Sequence, residues 1–228
     1  MQKHIVKAFD AEIDDLNKKV TAMGKACEEQ IAKAVSALGS MDTALAQSVV
    51  KQDKAINQLQ RGIEEKSVSL LTRRHPMAGD LRYLLSVMKI ASELERIGDY
   101  AANMAKRILA LSLPPVQEPI DLIVDMADIS RTMIHDVMDA FWDMDVEKAV
   151  KVWQTDNLID RKFARMMAMV RKQMQDNTDQ IDDGTQFIFM GRCCERIGDH
   201  ITNIAEDVYY MATGQIYMDQ CSDDHFVC

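Results

Sequence analysis

Oxygen-bearing side chains recur along the chain at a spacing that suits coordination of a hard metal ion. A triplet of Glu, Asp and Asn, each four residues after the last, occurs twice: Glu95, Asp99 and Asn103, then Glu195, Asp199 and Asn203. Residues four apart on an α-helix share one face and lie about 6 Å apart, so each triplet predicts a row of oxygens. Such ligands favour Mg²⁺, Mn²⁺, Ca²⁺ or iron over a structural zinc.

A further pair of oxygen-bearing residues precedes each row, on what we predict to be the preceding helix. The pairs are Asp53 with Asn57 and Asp156 with Asp160. Glu206 extends the second row, because eleven residues of helix return it to nearly the azimuth of Glu195, whereas the first copy has Lys106 at that position. Each copy therefore offers oxygens from two helices.

These rows carry an energetic cost that some interaction should offset. Like charges four apart destabilise a helix by a few tenths of a kcal/mol, and the mid-helix glycines Gly98 and Gly198 each cost about 1 kcal/mol relative to Ala. A cation between helices would convert the repulsion into coordination, and a glycine would let a neighbouring backbone or ligand approach closely. Arg96 and Arg196 suggest a competing explanation, a lattice of salt bridges, and the spacing leaves both open.

An internal duplication relates the two sets of residues. Glu95-Arg-Ile-Gly-Asp99 recurs as Glu195-Arg-Ile-Gly-Asp199, and Asp53-Lys-Ala-Ile-Asn57 aligns with Asp156-Asn-Leu-Ile-Asp160 at an offset of 103 rather than 100. Two blocks in the same order in both halves predict a repeated unit whose loops differ slightly in length.

Apolar residues three or four apart predict three long helices in each half, at residues 3–38, 45–70 and from 81, and then at 120–144, 146–175 and 181–211. Three of the four prolines, Pro114, Pro115 and Pro119, lie between the halves. We therefore predict an all-α fold of two tandem three-helix bundles. The first repeat spans 1–113, a proline-containing linker 114–118, the second repeat 119–214 and a C-terminal tail 215–228.

Composition supports this fold and excludes several functions. Only 9 Gly, 4 Pro and 6% aromatic residues argue against turn-rich β architectures. Residues 1–113 carry 17 Lys and Arg against 14 Asp and Glu, whereas residues 114–228 carry 10 against 22, which argues against a nucleic-acid binder. No signal peptide, apolar run of 18 residues or nucleotide-binding motif is present, so we expect a cytoplasmic binding protein with free thiols rather than an enzyme.

The duplicated Glu-Arg-Ile-Gly-Asp blocks, each late in a three-helix unit, resemble the PhoU family over residues 9–214. Arg74-His-Pro-Met-Ala-Gly-Asp-Leu-Arg82 and Met144-Asp-Val-Glu-Lys-Ala149 add to the resemblance. It implies two bundles related by a pseudo-twofold axis, each with a multinuclear cluster of iron, zinc, manganese or magnesium. The implied ligands are Glu95, Asp99, Glu195 and Asp199, completed by Asp53, Asp156 and Asp160, with Asn103, Asn203 and Glu206 as additions.

The resemblance also implies a function. PhoU-like proteins negatively regulate the phosphate-starvation response and phosphate uptake, as adaptors between the ATP-binding subunit of the phosphate importer and a sensor histidine kinase. Contact with the membrane would be indirect, and the choice between monomer and homodimer stays open. Asn57 and Lys106 replace the carboxylates of the second copy, so the first site is expected to bind ions less tightly.

Two rival functions fit the same residues. A carboxylate-bridged metalloenzyme would use the oxygen rows for turnover, although no His stands three residues after a Glu, as a ferritin-like di-iron centre would require. A purely structural helical scaffold would use the carboxylates only as partners of Arg96 and Arg196. Metal content and turnover by the purified protein separate these functions.

Overall fold

The computed structural model describes residues 2–112 and 117–217, with side chains from residue 9 onward, and the regular structure of these residues is entirely helical. The all-α prediction is confirmed. The helices are α1 (Gln2–Ser40), α2 (Thr43–Arg74), α3 (Gly79–Ile108), α4 (Gln117–Asp143), α5 (Val146–Thr155), α6 (Asn157–Asp176) and α7 (Ile181–Thr213), with a short 3₁₀ turn at Thr178–Gln180.

The long helix predicted at residues 146–175 is interrupted, which corrects that prediction. It forms the two segments α5 and α6, which meet at Asp156. The backbone N–H of Ile159 donates to the carbonyl oxygen of Asp156 at 2.8 Å, a bond over three residues that tightens the helix locally. Because Asp156 itself keeps right-handed helical dihedrals, α5 and α6 together serve as one helix of a six-helix plan.

The connection between the first two helices of each repeat shows that the duplication extends to backbone detail. Met41 and Met144 both adopt left-handed φ angles, of 51° and 54°. The next residues, Asp42 and Asp145, cap α2 and α5 by accepting a backbone hydrogen bond from three residues on, at 2.9 and 3.0 Å. These positions differ by 103, the offset that relates Asp53 to Asp156.

The core is organised around α3 and α7, which pack against each other at the centre of the molecule. Helices α1 and α2 cover α3, while α4, α5 and α6 cover α7, and α1 also packs on α4. The predicted apolar stripe of α1 is buried, with Leu16, Val20, Met23, Cys27 and Ile31 each 0% exposed. The two helices that carry the Glu-Arg-Ile-Gly-Asp blocks are therefore the central pair.

Contacts between α3 and α7 follow a pseudo-twofold pattern. They are Lys89 with Asp207 at 3.5 Å, and Arg107 over the ring of Phe189 at 4.4 Å. The partners exchange positions under the offset of 100 that relates the two blocks. Tyr100 and His200 are equivalent residues under the same offset, and their rings stack on each other at 5.5 Å. The axis therefore passes close to this ring pair.

The predicted linker, 114–118, and the predicted tail, 215–228, lie partly outside the described residues, because residues 113–116 and 218–228 are not described. Helix α4 begins at Gln117, so Pro119 lies in its first turn, where a missing backbone N–H breaks no helical hydrogen bond. Helix α7 ends at Gly214, whose φ of 76° gives a left-handed C-cap.

Candidate metal centres

Helices α2 and α3 bring the predicted acidic residues of the first repeat together. Burial and the neighbouring Asp99 carboxylate raise the pKa of Asp53. Burial also raises the pKa of Glu95, against the influence of Arg96, with further increases from Asp99 and Asp53. These effects on the pKa values of Asp53 and Glu95 place both carboxylates within electrostatic reach of Asp99, and the three form one acidic cluster, the first site.

The second repeat forms a matching cluster, the second site, with four carboxylates. Asp156 at the α5–α6 junction and Asp160 on α6 face Glu195 and Asp199 on α7. Burial, followed by Asp160, Asp199 and Glu195, raises the pKa of Asp156 to about 7. Burial and Asp199 raise the pKa of both Asp160 and Glu195. Four anions held this closely are unfavourable unless a proton or a cation neutralises them.

Several carboxylate oxygens of these clusters are buried without a hydrogen-bond donor. They are Oδ1 of Asp53, Oδ1 of Asp156 and Oε2 of Glu195. Buried polar atoms are nearly always partnered, so unpartnered anionic oxygens suggest a missing positive partner. As placed, no three carboxylate, imidazole or thiol groups among the described residues are arranged to hold one ion. The donor chemistry fits a hard cation, and coordination would require these side chains to converge by rotation.

Arginine side chains also pair with the clusters, as the scaffold hypothesis expects. Arg192 donates to Glu195 at 2.6 Å, and Arg196 donates to Asp199 at 3.0 Å. In the first repeat, Nε of Arg96 lies 3.8 Å from Oε2 of Glu95. These arginines are largely exposed, so solvent weakens each ion pair. Nε of Arg196 lies 3.8 Å from Oε2 of Glu195, close enough for an ion pair but too far for a hydrogen bond.

The glycine of each block lets another helix approach α3 or α7 closely. A Cβ atom at Gly198 would overlap Oδ1 of Asp156, and one at Gly98 would lie 2.9 Å from Cδ1 of Ile56. The groups that approach these glycines are side chains, not the backbone or ligand that the sequence led us to expect. In the second site, the neighbouring group is itself a candidate ligand.

Replacing Gly198 should therefore have a different effect from replacing a glycine in open space. Gly62 lies in the interior of α2 with nothing within 4 Å of an added Cβ. We expect Gly62→Ala to raise the free energy of unfolding by about 1 kcal/mol. Gly198→Ala should lose this gain and weaken metal binding, because the new methyl group displaces Asp156. Urea denaturation and metal titration of both variants test this. If Gly198→Ala stabilised the protein as much as Gly62→Ala does, the close packing of Asp156 against Gly198 would be contradicted.

The asparagines of the first site bond within their own helices. Nδ2 of Asn57 donates to Asp53 at 3.1 Å, and Nδ2 of Asn103 donates to Asp99 at 3.2 Å. Lys106 donates to Oδ1 of Asn103 at 2.8 Å. Asn57 thus orients a cluster carboxylate and keeps its own Oδ1 unpartnered, whereas the amide oxygen of Asn103 is already engaged by Lys106.

Two predicted ligands of the second site are directed elsewhere. Nδ2 of Asn203 donates to Oε2 of Glu93 on α3 at 3.1 Å. Glu206 accepts a hydrogen bond from Nε1 of Trp153 at 3.2 Å and lines a cavity of about 560 Å³ between α3 and α7. The structure therefore does not bring Asn203 and Glu206 into the cluster of Asp156.

A polar network between the repeats was not predicted from the sequence. Nδ1 of His200 lies 2.6 Å from Oε2 of Glu93, which also accepts the Asn203 hydrogen bond. Burial alone would raise the pKa of Glu93, but these hydrogen bonds outweigh it and hold the pKa below its ordinary value. The second repeat has Cys193 at the equivalent position, so the search for duplicated residues gave no signal for Glu93.

This network should stabilise the α3–α7 interface in a pH-dependent way. A carboxyl group whose folded pKa is lowered adds stability above its ordinary pKa of 4.5, and that stability is lost as pH falls through the folded value. We expect Glu93→Gln to lower the free energy of unfolding at neutral pH by about 1 kcal/mol and to flatten its decline in acid. Urea denaturation across a pH series tests this, with the exposed Glu29→Gln as control. If the free energy of unfolding of Glu93→Gln fell with decreasing pH as steeply as that of the native protein, the Glu93–His200 pair would contribute nothing to stability.

The fold and the two clusters define a class of protein. It is a duplicated helical bundle in which the third helix of each repeat, α3 or α7, supplies some of the residues of a carboxylate cluster and an adjacent helix supplies the others. None of the helices in residues 2–112 and 117–217 is both long and apolar enough to cross a membrane.

Comparison with known proteins identifies the family. The PhoU domain profile matches residues 20–108 and 123–208, once in each repeat. The chain is 35% identical over 92% of its length to the phosphate-specific transport system accessory protein PhoU homolog of Rhizobium meliloti (strain 1021), of which the match covers 90%. It is 33% identical to the phosphate-specific transport system accessory protein PhoU of Escherichia coli (strain K12), over 94% of this chain and 89% of that protein. The chain belongs to the PhoU family.

A solved structure supports the fold independently. The phosphate transport system regulatory protein PhoU from Streptococcus pneumoniae superimposes with a TM-score of 0.86 at 33% identity, over 92% of this chain and 99% of that one. Two tandem three-helix bundles are thus the fold of this family member.

Proposed function

We propose that this protein is a cytoplasmic negative regulator of the phosphate-starvation response and of high-affinity phosphate uptake. The observation that carries the proposal is family membership over nearly the whole chain, since the relatives are named as accessory proteins of phosphate-specific transport. The protein would act as an adaptor between the ATP-binding subunit of the phosphate importer and a sensor histidine kinase, without catalysis of its own. It would reach the membrane only through these partners.

Metal binding at the two clusters is the second part of the proposal. The first site would use Asp53, Glu95 and Asp99, and the second site Asp156, Asp160, Glu195 and Asp199. Bound iron, zinc, manganese or magnesium would neutralise the repulsion among these carboxylates and tie α2 to α3 and α6 to α7. The raised pKa values and the unpartnered carboxylate oxygens support this role.

The shape and charge of the chain suit a docking protein. Long helices offer extended faces to partners, and the acidic second half complements a basic surface on a partner or on a second copy in a homodimer.

Phosphate-regulated gene expression tests the regulatory role. We expect a deletion strain grown with abundant phosphate to show high alkaline phosphatase activity, and the intact gene to restore repression. A strain carrying alanines at positions 95, 99, 195 and 199 shows whether the clusters are needed for signalling. Low activity in the deletion strain, with no second copy present, would contradict the proposed regulatory role.

The ion pairs of Arg192 and Arg196 favour one other candidate, a scaffold whose carboxylates serve only these arginines. Removing the arginines distinguishes the two functions. In a scaffold, Arg192→Ala with Arg196→Ala should destabilise the protein, and added metal should have no effect. In the proposed metal protein, the same variant should still bind metal, since the arginines compete with the ion for the carboxylates.

A further inference from the structure

A buried glutamine on α1 interrupts the apolar face that covers the first site. Gln30 is 1% exposed, although its neighbours on this face are apolar. Its Nε2 donates to the carbonyl oxygen of Val49 on α2 at 3.3 Å. Its Oε1 has no hydrogen-bond donor. Because buried polar atoms rarely lack a partner, this oxygen requires an explanation.

The unpartnered oxygen lies beside the first acidic cluster. Oε1 of Gln30 is 3.2 Å from the position that a Cβ atom would take at Gly98, which directly precedes Asp99. The hydrogen bond to Val49 holds the glutamine one turn of α2 away from Asp53. One turn earlier on α1, the pKa of the buried Cys27 thiol is raised first by burial, then by Glu28 and Asp53, and least by Glu95. This part of α1 therefore faces the cluster.

Three buried oxygens in and around the first site have no hydrogen-bond donor: Oδ1 of Asp53, Oδ1 of Asn57 and Oε1 of Gln30. A buried carboxylate can be neutralised by binding a proton, but a buried amide oxygen needs a hydrogen-bond donor or a cation as its partner. Amide oxygens are ordinary ligands of hard divalent ions. A cation at the first site would offer these oxygens the positive partner they lack, once the side chains rotate toward it.

The second repeat fills the equivalent space differently. The offset of 103 places Met133, which is buried and apolar, at the position of Gln30. In that repeat, the unpartnered Oδ1 of Asp156 occupies the position that a Cβ atom on Gly198 would take. In both repeats an unpartnered oxygen therefore lies against the block glycine, but it comes from a different residue.

We propose that Gln30 is a neutral oxygen ligand of the first site and adapts that site to a hard divalent cation. The proposal rests on the metal binding proposed above. Three carboxylates with amide oxygens give the first site less negative charge than the four carboxylates of the second. Gln30 thus adds an oxygen from α1 to the oxygens that α2 and α3 supply.

The test uses Mn²⁺ alone and the full chain with the second site disabled by Glu195→Ala and Asp199→Ala. In this parent, Gln30→Met copies the residue of the second repeat and is expected to keep the fold, which circular dichroism checks. We expect Gln30→Met to weaken Mn²⁺ binding by about tenfold or more in calorimetric titration. Gln30→Glu, which restores an oxygen, should bind more tightly than Gln30→Met.

A matched control places Gln30→Met in a chain whose first site is disabled by Glu95→Ala and Asp99→Ala, where Mn²⁺ binding to the second site should not change. Equal Mn²⁺ affinity of the parent and Gln30→Met would overturn the role of Gln30 while leaving the metal sites intact. A parent that binds no Mn²⁺ would overturn metal binding at the first site as well. The two failures are therefore distinguishable.

Discussion

Asp156→Asn is expected to raise the thermal midpoint of the metal-free protein at neutral pH. The pKa of Asp156 is raised from 3.8 to about 7 by burial and by the neighbouring carboxylates. A raised acid pKa makes the folded state progressively less stable as pH rises from about 4 to 7, and this penalty persists above 7. Because the carboxyl is partly solvated, we expect a gain of about 1–2 kcal/mol, or about 3–6 °C.

The same substitution should reduce the response to added metal, because the amide has one ligand oxygen and no charge. Scanning calorimetry of metal-free protein at pH 4 and pH 7 measures the first effect, and repetition with excess Mn²⁺ measures the second. Asp139 is a suitable control, since its pKa is lowered by Lys148 and Asp139→Asn should not stabilise the protein. A lower midpoint for metal-free Asp156→Asn at pH 7 would contradict the electrostatic account.

Saturating metal should stabilise the native protein by a larger amount. An ion that binds only the folded state at about 100 times its Kd adds about 2.7 kcal/mol per site. For a chain of this size that corresponds to about 5–10 °C per site. The physical reason is that each ion would join carboxylates on two helices, α2 with α3 or α6 with α7. Melting curves with excess metal and then with excess chelator measure the difference.

The variant with alanines at positions 95, 99, 195 and 199 provides the control for this measurement. Its midpoint should not respond to metal or chelator, and its metal-free form should be at least as stable as the metal-free native chain. A metal-induced rise that persists in this variant would place the ions elsewhere on the protein.

The central position of α3 and α7 links the two sites mechanically. Each helix carries one wall of an acidic cluster and also packs against the other helix through the Tyr100–His200 ring pair and the Lys89–Asp207 ion pair. An ion at either site would therefore fix an outer helix to the central pair that both repeats share. This arrangement gives a structural path by which metal occupancy would influence both docking faces of the proposed adaptor.

The duplicated blocks allowed much of this arrangement to be predicted from the sequence. Helical periodicity places Glu95 and Asp99 on one face, and Asp53 lies on the preceding helix, which short connections pack against it. The burial of this face follows from the apolar stripes that flank it. The same reasoning applies to Asp156 and Glu195 in the second repeat.

Distance along a helix explains why Glu206 and Asn203 lie apart from the cluster. Glu206 returns to the azimuth of Glu195, but eleven residues displace it by about 16 Å along the axis. Asn203 is turned by about 80° from Glu195 and so faces α3. The sequence of one helix does not show which neighbouring helix lies opposite each of its turns.

Residues without a counterpart in the other repeat were also not predicted. Glu93 corresponds to Cys193 and Gln30 to Met133. Because the residues of each pair differ in chemistry, the internal repeat does not mark either position as functional. Their roles depend on which atoms lie opposite them across helix interfaces, and sequence periodicity carries no such information. The break at Asp156 likewise reflects local hydrogen bonding rather than composition.

The metal content of the purified, untagged protein tests the central claim most directly. Elemental analysis of the native chain should find stoichiometric metal, with about half retained when either Glu95 and Asp99 or Glu195 and Asp199 are replaced by alanine. The chain with all four replacements should contain none. Native protein that contains no metal, and takes up none when iron, zinc, manganese or magnesium is supplied, would contradict the proposed metal centres and favour the salt-bridged scaffold.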